Sequence, residues 1–424
     1  MSERNGHLRT PIVAELHLPK HAPIGWQWVR LTDVARLESG HTPSRNEPSY
    51  WGGKVKWLSL KDIKGLDGKV VFETSDHPTE LGIDNSSARV LPKGTVALCR
   101  TASVGKSVIL GCDMATSQDF VNWVCGPKLM PEYLYYAFRN SEVEFDRLQQ
   151  GTTHKTIYMP IAEQFALLLP PLSEQHRIIT LLDKADAIRR KREEGIQLTG
   201  ELLRSTFLEI FGDPVANPKG WPILRLEEIS SDMTYGTSVK CNGESGGFAL
   251  PVLRIPNILQ GRINWTDLKY ASLQPREAEQ LLLTPGDLLF VRTNGNPEYI
   301  GRCAMFTGET RALFASYLIR VRLKPDAEYR PGFVRFVATM PSYRSLLVAE
   351  ARTTAGNYNI STQGLRRLKL IAPPLEQQDR FLRFAAQTSE ILAKRETAAA
   401  EASSLFGSLV QRAFRGELTN GGKK

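Results

Sequence analysis

Two stretches of the chain repeat apolar residues at three- and four-residue steps with no proline inside them. From Glu174 to about Ile210 the positions are Ile178, Leu181, Ala185 and Ile188, then Ile196, Leu203, Phe207 and Ile210. Near the C-terminus they are Leu382, Ala385, Ser389, Leu392, Glu396, Ala399, Ser403, Phe406, Val410 and Ala413. Alternating steps of three and four are the seam of a coiled coil, so each stretch predicts a long helix. Both follow Pro-Pro-Leu (Pro170 to Leu172, Pro373 to Leu375), where proline can precede a helix but not continue one, and a glutamate falls in the first turn. The two helices would most naturally pair with each other; the alternative is that each packs on its own neighbouring module. The run Arg189-Arg190-Lys191-Arg192 interrupts the first seam and reads either as a solvated face or as a nucleic-acid contact. From Phe211 to Gly220 glycine and proline breakers stop the helix and restart a domain.

What precedes each helix is a copy of the same unit. Gly25-Trp26 returns as Gly220-Trp221, and the openings Val29 to Val34 and Ile223 to Ile229 are alike. Leu91-Pro92-Lys93-Gly94 returns as Leu283-Thr284-Pro285-Gly286-Asp287, each followed by a short apolar run that ends in Arg100-Thr101 or Arg292-Thr293. Thr152-Thr153 returns as Thr353-Thr354, and Pro170 to Gln175 returns as Pro373 to Gln378. Anchors in the same order with small drift mark a domain duplication, too long in period for a solenoid. The expected layout is an N-terminal extension (1–24), a first module (25–172), a helix (173–212), a linker (213–219), a second module (220–375), a second helix (376–418) and a tail (419–424).

Composition narrows the class. The balance of 42% hydrophobic and 23% charged residues is that of an ordinary globular protein, and 424 residues exceed one ordinary domain. No apolar run approaches the roughly 18 residues of a membrane span, and Met1 to Pro23 lacks the apolar centre of a secretory signal. The cysteines Cys99, Cys112, Cys125, Cys241 and Cys303 are scattered, which speaks against a disulfide framework or a structural zinc site and for a reducing cytoplasm. The net charge of +9 suits an anionic partner. It is unevenly spread: residues 25–172 hold 16 basic and 16 acidic residues, whereas residues 220–375 hold 19 and 13, a net of +6.

Catalytic motifs fail on inspection. Val104-Gly105-Lys106-Ser107 resembles the end of a phosphate-binding loop, but Arg100 stands where the leading glycine must be. The Pro-Pro pairs resemble the Asn-Pro-Pro-Tyr/Phe loop of amino-methyltransferases, but Leu169 and Ala372 occupy the amide's place. No metal spacing links the seven histidines, so no metal site is expected, and the chain reads as non-catalytic. Arginine, lysine, asparagine and glutamine on loops are the residues that read bases and hold phosphates. The first module offers Ser59, Lys61, Arg100, Ser103, Lys106 and Gln118, and the loop Thr152, Thr153, His154 and Lys155. The second offers Arg254, Asn257, Arg292, Asn294 and Asn296, and the loop Arg352, Thr353, Thr354, Asn357 and Tyr358. Each could equally be ordinary turn chemistry.

The order of these parts resembles the specificity subunit of type I restriction–modification enzymes. The most specific pieces are Pro170 to Arg177, the junction Phe211 to Trp221, and Pro373 to Arg380; Trp57 to Ile63 and Arg100 to Lys106 also look like recurring segments of that family. The resemblance implies a mixed α/β fold with two target-recognition domains separated by two long antiparallel coiled-coil helices, a pseudo-two-fold duplication. It implies that each domain reads half of a bipartite site in double-stranded DNA and that the helices fix the unread spacer. It further implies two methyltransferase subunits carrying S-adenosylmethionine, two motor-nuclease subunits using ATP and Mg, and no cofactor in this chain. A helix of about 37 residues is roughly 55 Å long, enough for modules at its ends to reach major-groove segments about 34 Å apart. The extension 1–24 has no counterpart in that pattern.

Overall fold

Both Pro-Pro-Leu segments open helices of 40 residues, Leu172–Phe211 and Leu375–Phe414. In the computed structural model, which describes residues 10–14, 21–66, 70–150, 155–242, 249–259, 261–308, 310–354 and 356–418, the start of each helix is fixed by a buried glutamine. Gln175 accepts from Met130 N (2.9 Å) and donates to Lys128 O (2.9 Å) and Pro170 O (3.0 Å). Gln378 repeats the arrangement with Arg330 N (2.9 Å), Glu328 O (3.0 Å) and Pro373 O (2.8 Å). The helix's own N–H groups reach back only as far as the Pro171 and Pro374 carbonyls, so the carboxamide takes up the Pro170 and Pro373 carbonyls one residue earlier and ties helix to module. The first helix ends at Gly212, whose φ of +77° only glycine adopts without strain.

The chain divides into two units: residues 1–193 with 397–424, and residues 194–396. In the first, a five-stranded sheet runs Val70–Val71, Ser107–Leu110, Val96–Cys99, Phe120–Cys125, Ala35–Ser39, antiparallel except at the first pair. Beside it lies an antiparallel sheet of Ile12–Ala14, Phe165–Leu169 and Gln27–Arg30. Phe165–Leu169 is an unbroken apolar run because both of its faces are covered. Ile12–Ala14 belongs to the segment read from sequence as an extension without a role; Ile12 is fully buried and pairs with Leu167. The core joins Trp123, Tyr133, Phe138, Phe145 and Phe165 to Ile178, Ile179 and Leu182 of the first long helix and to Phe406, Val410 and Phe414 of the second. Early residues of one helix thus meet late residues of the other, which makes the pair antiparallel.

The second unit repeats this plan. Its antiparallel sheet runs Ser230–Tyr235, Leu318–Leu323, Leu288–Val291, Cys303–Met305, and Ile223–Arg225 pairs with Lys369–Ile371. Helices Pro331–Thr339 and Pro341–Ala349 occupy the places of Pro131–Arg139 and Glu142–Leu148. Gly40 and Gly236 hold matched positions where a Cβ would strike the backbone oxygens of Ser117 and Phe314. Phe207 and Phe211 of the first helix meet Phe381 of the second, with Phe333 and Phe336 from the module, at ring separations of 4.8–5.9 Å. Burying each such ring stabilises by about 1.5–3 kcal/mol.

The seam differs in detail from the sequence pattern. Ile178, Ala385, Ala399, Phe406 and Val410 are buried, and Ala185, Leu382 and Leu392 are half-buried. Leu181 and Ile188 are exposed. At 3.6 residues per turn the inward face runs through Ile178, Leu182, Asp186 and Arg189, so it passes from apolar to polar while Leu181 and Ile188 turn away. Asp186 is buried there and binds Arg189 (2.8 Å) and Arg190 (2.6 Å), which accounts for two residues of the basic run as ion-paired helix surface. The two packing alternatives prove compatible: in each unit the helix segments touch both each other and that unit's module.

Candidate nucleic-acid interface

Each module presents an arginine at the end of a fully buried strand, Arg100 after Val96–Cys99 and Arg292 after Leu288–Val291. Their backbones are held identically. Arg100 N donates to Asp119 O (2.8 Å) and its carbonyl accepts from Ile157 N (2.9 Å). Arg292 N donates to Tyr317 O (3.0 Å) and its carbonyl accepts from Ile360 N (2.8 Å). The side chains then diverge. The Arg100 Nε donates to Gln118 O (2.8 Å), and the exposed Gln118 carboxamide accepts from the Thr42 hydroxyl. Arg292 lies 4.4 Å above the Tyr235 ring, and its Nε donates to Asn359 Oδ1 (3.2 Å). Arg292 and the Tyr235 hydroxyl's acceptance of Thr362 N both favour the phenolate, and the Tyr235 pKa lies below its ordinary value although burial opposes the shift.

In the second module the fold gathers residues far apart in sequence. Thr293–Asn294, Asn357–Asn359 and Arg352–Thr354 form one small antiparallel sheet in which Asn294 faces Tyr358 and Arg352 faces Asn359. Thr353 and Thr354 lie on its edge strand. Asn294 and Asn296 cap successive turns, their carboxamide oxygens accepting from Asn296 N (2.8 Å) and Glu298 N (2.9 Å). The first module has the same plan in reduced form: Thr156 bridges both Thr101 and Gln150, and Lys155 next to it is exposed. Thr152, Thr153 and His154 lie outside the described residues.

Thr101 to Lys106 is a tight turn joining two antiparallel strands, with Ala102 at φ +54° and Ser103 and Lys106 half-buried. A phosphate-binding loop needs a helix after it to supply aligned N–H groups; here a strand follows, a second reason that motif fails. Two expected contacts are engaged inside the fold instead. Ser59 is buried, and its N and Oγ donate to Asp62 Oδ2 at 3.0 and 2.9 Å. Asn257 is buried, accepting from Arg254 N (2.9 Å) and donating to Asn264 O (2.9 Å) and Thr266 O (3.0 Å). Both side chains hold loops and have no edge left for a base. The Arg254 guanidinium reaches Asp267 at 3.1 Å.

Lys61 belongs to a cluster that the sequence did not disclose. It approaches Asp76 (3.4 Å), which also binds Arg45 (2.8 Å), and Arg45 stacks 3.6 Å above Trp51. The Arg45 hydrogen bond holds the Asp76 carboxyl below its ordinary pKa. Arg45, Trp51, Asp76, Tyr235 and the exposed Tyr317 were missed because residues from 6 to more than 100 positions apart meet here with no local periodicity to announce them. The one available signal was positional: Tyr317 follows the segment matching Gln118.

Comparison with known proteins bears on the chain as a whole. A family model described as the type I restriction modification DNA specificity domain matches residues 23–198. The match takes in the whole of the first module. Beyond it, the likeness spans both copies. The specificity subunit of the type I restriction enzyme EcoKI of Escherichia coli is 28% identical over 428 residues, covering 94% of this chain and 90% of that protein. That of StySPI of Salmonella potsdam is 22% identical over 422 residues, with the same coverage of 94% and 90%. That of MjaIX of Methanocaldococcus jannaschii is 24% identical over 256 residues, covering 56% of this chain and 59% of that protein. Among solved structures, the S subunit of a type I system from M. genitalium matches with a TM-score of 0.55 at 14% identity, over 95% of this chain and 99% of that one. A chain from a study of type I complex assembly and conformational transition matches with a TM-score of 0.55 at 20% identity, over 94% and 100%. The resemblance to type I specificity subunits therefore holds along nearly the whole chain, and the mixed α/β fold is theirs. Among the described residues no helix is long and apolar enough to cross a membrane.

Proposed function

We propose that this chain is the DNA-reading, non-catalytic subunit of a type I restriction–modification enzyme, each module reading one half of a bipartite site. The observation that carries this reading is the matched pair Arg100 and Arg292: identical backbone brackets that carry different side-chain surroundings. Duplication supplies two reading positions, and divergence supplies two different readings, so the recognised sequence is asymmetric. Base-edge contacts in the second module fall to Arg292, Asn294, Asn296, Arg352, Asn357 and Tyr358, and in the first to Arg100, Gln118, Lys106 and Lys155. Arginine and asparagine present bidentate donors and acceptors suited to guanine and adenine edges. Two methyltransferase subunits with S-adenosylmethionine supply the chemistry, and two motor-nuclease subunits using ATP and Mg complete the restriction complex.

The test is co-expression with a methyltransferase partner followed by modified-base mapping of the host DNA. Adenine methylation at an interrupted, asymmetric sequence is the expected result. A perfect palindrome, or no site-specific methylation from a complex that does assemble, refutes the reading. A stand-alone regulatory DNA-binding protein would instead bind one sequence with no methyltransferase co-purifying.

A further inference from the structure

The turn carrying Asn294 and Asn296 continues into a cleft of about 580 Å³ in the second unit, bounded by residues 297–303 and by the helices Pro331–Thr339 and Pro341–Ala349. Arg302 and Arg344 line it, and both donate to one carbonyl, Glu298 O, from Nε (3.1 Å) and Nη2 (3.0 Å) respectively. Arg335, on the helix Pro331–Thr339, is tied to Gly261 O (2.7 Å). The Nη1 of Arg344 and the Nε of Arg335 are buried with no hydrogen-bond partner among the described residues. Burial draws the pKa of both guanidinium groups below the ordinary value, and Arg302 adds repulsion at Arg344. Among the described residues no carboxylate pairs with either of them. Burial pushes the Cys303 thiol up to about 12, so it is neutral at pH 7, and Glu298, the one acid among the described lining residues, is solvent-exposed.

Charge drawn partly out of water without a counter-ion is costly, and the fold does not require it here. The helix Pro131–Arg139 matches Pro331–Thr339, and Gly105 and Gly301 rest against Phe145 and Leu347. By that register Arg302, Arg335 and Arg344 correspond to Lys106, Tyr135 and Glu142, so the first module builds the same scaffold without the cluster. Planar guanidinium groups present paired N–H donors that match phosphate oxygens.

We infer that this cleft binds a phosphate group, its occupant being a backbone phosphodiester beside the bases read by the second module. The inference rests on the DNA-reading function proposed above. It places one positioning contact that is independent of sequence in the module with the excess positive charge, where it would set the depth at which Asn294 and Asn296 meet base edges.

The experiment measures binding of the full chain to a mixed-sequence duplex by fluorescence anisotropy across a sodium chloride series. Each phosphate contact contributes about 0.9 to the slope of log K against log salt. R302Q/R344Q is expected to lower the slope by about one and to weaken binding alike on all sequences, while R302K/R344K keeps the slope. In parallel, inorganic phosphate is titrated into the DNA-free chain by calorimetry. An unchanged slope with phosphate heat seen in the wild type and lost in R302Q/R344Q keeps the phosphate site and makes free phosphate its source. An unchanged slope with no phosphate heat overturns the inference. If R302Q/R344Q fails to fold by circular dichroism, R302A alone carries the same test. Absence of wild-type DNA binding counts against the proposed function and leaves the phosphate titration to decide the cleft.

Discussion

Replacing Gln175 or Gln378 with methionine keeps the side chain's length and removes its polarity at the point where helix joins module. Both glutamines are fully buried, and each makes three hydrogen bonds of 2.8–3.0 Å to backbone groups. A hydrogen bond contributes about 1 kcal/mol net, and a buried backbone group left without a partner costs roughly 1–3 kcal/mol. Three lost bonds therefore destabilise the local structure by about 3 kcal/mol, which is roughly a 100-fold shift in an opening equilibrium. Amide hydrogen exchange reads each unit separately, because Met130 N and Arg330 N are the groups released. Gln175→Met is expected to speed exchange at Met130 by about that factor and leave Arg330 unchanged, with the reverse for Gln378→Met. An acceleration of less than about threefold at the released amide in both variants would refute the reasoning, since it would mean the carboxamide is not what holds helix to module.

Arg292→Ala and Asn294→Ala should relax base choice in one half-site by about 1–3 kcal/mol while the complex still assembles; methylation mapping that shows the site unchanged would remove both from the interface. Asn257→Ala should behave differently, lowering the urea midpoint of the second unit by removing three buried hydrogen bonds, about 2–3 kcal/mol, with little change in DNA selection once folded protein is compared. Acid should weaken the Arg45–Asp76 contact: the folded-state pKa of Asp76 is lowered by its bond to Arg45, so its stabilisation is present above the unfolded value and is lost as pH falls through the folded one. Asp76→Asn is expected to flatten the acid limb of a stability–pH curve, and an unaltered limb counts against the coupling.

The duplication, the two long helices and the class of chemistry were legible in the residues because each is written locally. Pro-Pro-Leu stops one element and starts another, apolar steps of three and four mark a helix, and a missing glycine or amide excludes a loop reaction whatever surrounds it. Arg100 and Arg292 could be paired for the same reason, since their flanking segments match. Whether a polar side chain faces a ligand or its own backbone is a different kind of fact. Ser59 and Asn257 read as loop donors in sequence, yet Asp62 in one case and the carbonyls of Asn264 and Thr266 in the other take up their hydrogen bonds. The placing of Ile12–Ala14 depended on an unpaired edge of Phe165–Leu169 some 150 residues away, and the outward turn of Leu181 and Ile188 on which face the module covers. Periodicity and breakers act within a few residues, so one chain displays them. Burial, register and the meeting of Asn294 with Tyr358 are set by contacts across the whole unit, and only the tertiary structure decides them.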